Sequence, residues 1–69
     1  MVEVFKTNVH EHAHAEKLVN LLYKHFPARR INFDLEDCDK ILRIDAPVNY
    51  ADEVIETLKE NGVWCEELV

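Results

Sequence analysis

Two excursions of the hydrophobic pattern, from a period of about two to about 3.6 and back, constrain this 69-residue chain more than any other feature. Residues 2–9, Val-Glu-Val-Phe-Lys-Thr-Asn-Val, are rich in β-branched and aromatic types and read as a strand. From about residue 12 the apolar positions Ala15, Leu18, Leu22 and Phe26 recur at helical spacing. Val19 and Leu21 widen that stripe, while Glu16, Lys17, Asn20 and Lys24 take the other face. Pro27 ends the helix, because it cannot donate to the ladder and restricts the residue before it. Ile31, Phe33 and Leu35 then alternate with Asn32, Asp34 and Glu36, the pattern of a half-buried strand. Asp37-Cys38-Asp39 reads as a turn, and residues 40–45 return as a strand with Leu42 and Ile44 on one side, Arg43 and Asp45 on the other. Pro47 breaks the pattern. Asn49 is a good N-cap, with Asp52 three residues on, for a second helix whose inner stripe is Ala51, Val54, Ile55 and Leu58. Gly62, the only glycine, stands where a left-handed C′ residue should end that helix, and residues 63–68 form the last strand.

The order is β-α-β-β-α-β. It predicts an α+β, ferredoxin-like sandwich: a four-stranded antiparallel sheet with two helices on one face, as a single domain over residues 1–69. The other sheet face is left open to Trp64 or Phe5, which would serve association there; one such residue exposed is unremarkable, and more than one would point to a partner. Such a fold hosts many unrelated activities, so function has to be argued from side chains.

Charge excludes one class. The net charge is −6, from 14 acidic against 8 basic residues, and nucleic-acid binding draws most of its affinity from cations on phosphates. The only basic pair, Arg29-Arg30, is assigned to a solvated turn. No apolar run approaches the roughly 20 residues that span a bilayer, and the N-terminus lacks the design of a signal peptide, so no membrane role is expected. Cys38 and Cys65 belong to no Cys-x-x-Cys pair. Flanking carboxylates discourage a thiolate at Cys38, and Cys65 is expected to be a buried apolar residue. The expected compartment is the cytoplasm. No nucleophile has a neighbouring base and no carboxylates are paired in an apolar setting, so the chain does not read as an enzyme.

The chemistry concentrates in His10-Glu11-His12-Ala13-His14, where the first strand hands over to the first helix. If helical, this segment sets His10 and His14, or Glu11 and His14, on one face. If extended, it lines up His10, His12 and His14, and a bend between the two gathers three. Imidazole with carboxylate suits Zn(II), Ni(II), Cu(II) or Co(II). His25, near the end of the first helix, reads as a charge complementing the helix dipole and is not counted among the ligands.

The run Phe5-Lys6-Thr7-Asn8-Val9, Leu18 and Leu22 in the first helix, Asp39-Lys40-Ile41-Leu42, and Glu53-Val54-Ile55 through Gly62 to Glu67-Leu68 resemble the heavy-metal-associated domain, the family of copper chaperones and of the N-terminal domains of metal-transporting ATPases. The resemblance spans essentially the entire chain. Counted back from Leu18, the family's Cys-x-x-Cys falls on Glu11 and His14, so the resemblance implies a divergent member in which Glu11 and His14 stand where the thiolates would be.

Two functions follow as expectations. One is a metallochaperone-like module holding a divalent transition metal (Zn, Ni or Cu) through Glu11 and His14, helped by His10 and His12, with binding that fades as the histidines protonate. The other keeps only the scaffold: a metal-free interaction or regulatory module, its histidines solvated loop residues, joined to a protein partner or to itself as a homodimer through an edge strand or the open sheet face.

Overall fold

The computed structural model describes residues 1–68; Val69, the last residue of the expected domain, lies outside them. The elements run β1 (Val2–Thr7), α1 (His12–His25), β2 (Arg30–Asp34), β3 (Ile41–Asp45), α2 (Ala51–Glu60) and β4 (Cys65–Leu68). The sheet order is β2-β3-β1-β4, with every neighbouring pair antiparallel. This is the ferredoxin-like α+β fold. β1 and β3 are central, and β2 and β4 are the two edges.

Alternation along the strands separates the faces. Phe5 sits opposite Leu42, Leu42 opposite Phe33, and Ile44 opposite Ile31, all on the face covered by both helices. Ala15, Leu18 and Leu22 of α1 and Ala51, Val54 and Leu58 of α2 close over them. Phe5, Leu22, Leu42 and Leu58 have no solvent exposure, and each such side chain contributes about 1.5–3 kcal/mol of transfer free energy. Phe5 therefore belongs to the core and is not on the open face, as the sequence had allowed. β1 carries apolar residues in both phases, Val2 and Val4 against Phe5, and the phase of Phe5 is the one buried, with Glu3 and Thr7 beside it.

The helix ends explain the connections. Phe26 is extended and donates its N–H to Leu22 O at 2.9 Å, and Pro27 follows. Gly62, at φ +75°, closes α2 in a Schellman arrangement: Val63 N–H reaches Leu58 O at 2.8 Å and Gly62 N–H reaches Lys59 O at 3.0 Å. At the other end of α2 the cap is displaced by one residue. Tyr50 holds the N-cap position, while Asn49 Oδ1 accepts the Ala51 N–H at 2.7 Å from just outside, and Asp52 makes no capping bond. The last strand starts two residues later than its sequence pattern, because the Val63 N–H is used in closing the helix and the Trp64 N–H donates to Asn8 Oδ1 at 3.2 Å.

Candidate functional site

The His/Glu run lies on a bend. Val9, 1% exposed, anchors the end of β1, with its N–H on Thr7 Oγ1 at 3.2 Å. Glu11 is still extended (φ −106°, ψ 137°), and α1 begins at His12 with Glu11 O accepting the Ala15 N–H at 2.9 Å. Ala15 and Leu18 turn inward, which sends His10, Glu11, His12 and His14 to the surface. His12 and His14, two residues apart on a helix, leave it in different directions. No three metal-donor atoms of this segment lie within 4.8 Å of one another. The first turn of α1 has no acidic residue and no side-chain cap, so its free N–H groups present partial positive charge beside the histidines. Glu11 is the segment's one carboxylate to offset it.

Among the described residues, three donors do converge at a place the sequence had marked only as a turn: Asp37, Cys38 and Asp39, between β2 and β3. The signal was present in the triplet itself, since a tight reversal keeps adjacent side chains together. The two carboxylates are already committed. Asp37 Oδ1 accepts the Asp39 N–H at 2.8 Å, and Lys6 Nζ stands 3.6 Å from Asp39 Oδ1. Lys40, at φ +50°, is held in its left-handed conformation by its ammonium, which donates to Leu35 O at 2.8 Å, and by Thr7, whose hydroxyl donates to Lys40 O. The turn is stapled to the sheet and lies at the surface.

The open sheet face carries Arg30, Asn32, Arg43, Asp45 and Val2 around a shallow depression of about 340 Å³. Arg30 is a strand residue paired with Asp45, not part of a solvated turn as its neighbourhood in the sequence suggested. A second depression, of about 320 Å³, runs between α1 and β2, floored by Val19, Ile31, Phe33 and Leu35 and rimmed by His12 and Glu16. Phe33 is half-buried there. The N–H of Ile31 points away from β3 and donates to the Tyr23 hydroxyl at 2.9 Å. A third depression, of about 380 Å³, lies at the α2–β4 corner. Trp64, 48% exposed, lines it together with Ile55 and Lys59 of α2, so this tryptophan flanks the helix layer at the β4 edge.

Of the two cysteines, Cys38 is exposed and Cys65 is buried, as its strand position predicted; burial pushes the Cys65 thiol up to about 11. His25 and Lys24 occupy the last turn of α1, where positive charge complements the dipole. Among the described residues, no helix is long and apolar enough to cross a membrane. Comparison with protein-family models, with curated proteins and with solved structures finds no match to this chain.

Proposed function

We propose that this chain is a non-catalytic protein-interaction module on a ferredoxin-like scaffold, and that it meets its partner through the β2 edge. One observation carries the reading. β2 is an edge strand of five residues with no proline or lysine, and the half-buried Phe33 and the groove along α1 lie beside it. Natural proteins usually blunt such an edge with charge, proline, a bulge or a cover; β4 carries two like charges, Glu66 and Glu67, whereas the two charges of β2, Arg30 and Asp34, are opposite and complement an incoming strand. A cytoplasmic location is part of the proposal, supported by two free cysteines. The test is a photo-crosslinking residue in place of Phe33, compared with one in place of Glu56 on the exposed side of α2, in native extract. Adducts from position 33 alone are the expected result. Equal labelling at both positions, or none at 33, contradicts the reading.

A second reading is supported by the four donors His10, Glu11, His12 and His14, all exposed at the β1–α1 bend, and by the resemblance to heavy-metal-associated domains. In it the chain is a divergent member that handles Zn, Ni or Cu. Calorimetric titration of tag-free protein with zinc and copper, against a Glu11→Ala/His14→Ala variant, tests it. One-site submicromolar binding lost in the variant supports the metal reading, and weak or variant-insensitive binding contradicts it.

A further inference from the structure

We infer that the partner of the β2 edge is a second copy of this chain, paired antiparallel about a two-fold axis through Asn32; the inference rests on the interaction reading above. The sequence of β2, Arg-Ile-Asn-Phe-Asp, is self-complementary when reversed on itself. Centred on Asn32, the pairing sets Arg30 opposite the second copy's Asp34, Ile31 opposite its Phe33, and Asn32 opposite itself. The symmetry operation repeats each contact, as an isologous interface requires. Arg30, Asn32 and Asp34 all lie on the open face and Ile31 and Phe33 on the helix face, so each pair meets its own kind of environment. Centring on Ile31 would set Arg30 against Asn32, and centring on Phe33 would set Asp34 against Asn32. Only the Asn32 centre pairs all five residues and both charges.

The main chain agrees with that register. The Ile31 N–H points outward, since it bonds to Tyr23 and not to β3. By alternation the outward groups of β2 belong to Ile31 and Phe33, and the Asn32-centred register sets these two opposite each other. Pairing exchanges the Ile31 bond to Tyr23 for one to the second copy's Phe33 carbonyl, so Tyr23 acts as a removable guard on the edge. Among the described residues Arg30 makes no ion pair within 4.0 Å, and neither does Asp34, whose carboxylate accepts the Glu36 N–H at 3.3 Å through Oδ1 alone. Pairing also carries the apolar groove by Val19 and Phe33 into the interface.

The test is sedimentation equilibrium of the full chain over a wide concentration range, with circular dichroism to confirm folding of each variant. The native chain is expected to dimerise reversibly. Arg30→Glu and Asp34→Arg are each expected to weaken the dimer by about tenfold or more, because both symmetry-related pairs become like-charged. The double variant, which restores opposite charge across the axis, is expected to recover most of the loss. A second variant does not depend on those charges. Asn32→Cys in a Cys38→Ser background places two thiols across the axis at a non-hydrogen-bonded pair, where the Cα separation of about 4.5 Å permits a disulfide. Mild oxidation should trap a covalent dimer. A chain that stays monomeric, a dimer indifferent to both single charge changes, or no trapped dimer overturns the inference. If the chain is monomeric while the position-33 crosslinker still captures a protein, the second copy is the wrong partner and the edge reading stands; if both fail, both fall.

Discussion

The two edges of this sheet are built on opposite plans. β4, described over Cys65–Leu68, carries adjacent carboxylates at Glu66 and Glu67, and is approached through a helix-terminating glycine and the bulky Trp64. β2 is five residues long, balances Arg30 against Asp34, and alternates them with Ile31 and Phe33. A −1 charge at each of two neighbouring positions repels a second strand, whereas opposite charges two residues either side of a centre invite one. One sheet thus has a closed edge and an open edge; each has a depression beside it, about 320 Å³ between α1 and β2 and about 380 Å³ at the α2–β4 corner, so it is charge and not shape that separates them.

The largest expected effect removes the frame on which both edges depend. Leu42 lies on central β3, fully buried between Phe5 and Phe33, and Leu42→Ala should cost about 3 kcal/mol in chemical denaturation while exposing the amides of both edges alike. If only one edge were affected, the two would not share a core.

A somewhat smaller effect separates the edges by pH. The Cys65 thiol in β4 is raised from 9.0 to about 11 by burial, so the neutral form is the one the fold prefers. Its contribution is fully present below pH 9 and is lost as pH rises toward 11, about 2–3 kcal/mol in all. Cys65→Ala should flatten that alkaline decline in urea titrations, and a decline of unchanged depth would assign it to other groups. In the same protein at pH 8, a thiol reagent should modify exposed Cys38 in the folded chain and Cys65 only on unfolding.

Gly62→Ala should come next. Nothing lies within 4 Å of the added Cβ, so the cost is that of a left-handed backbone, about 1 kcal/mol, and it should fall on the α2–β4 connection without loosening β2. Tyr23→Phe works at the other edge. It deprives the Ile31 N–H of its partner, costs the single chain about 1 kcal/mol, and should tighten self-association several-fold in sedimentation because the guard is gone. Weaker association would mean that Tyr23 holds the edge in shape and does not guard it. The smallest effect is at the stapled turn: Lys6→Ala removes an exposed pair at 3.6 Å and should change stability by less than about 0.5 kcal/mol.

Much of the fold was legible because each element carries its own period. The stripes of α1 and α2, the stop at Pro27 and the left-handed Gly62 are local properties, and the structure places them where the sequence does. Phe5 was ambiguous because β1 is apolar in both phases, and only the pairing with Leu42 decides which phase is inside. Arg30 looked like a turn residue beside Arg29 because strand starts leave no mark as clear as a proline. The candidate sites were less legible. The donors at residues 10–14 are all exposed around the bend at Glu11 with no three of their ligand atoms within 4.8 Å of one another, whereas Asp37, Cys38 and Asp39 converge because a hairpin turn holds neighbours together. The self-complementarity of β2 could be read from its five letters only once β2 was known to be an edge.

The most direct test of the open-edge claim is amide hydrogen exchange, measured at a low and a high concentration of the native chain. Protection of Ile31 and Phe33 that rises with concentration, while the amides of Cys65–Leu68 stay unchanged, is the predicted result. Equal change at both edges, or none at β2, would contradict the account.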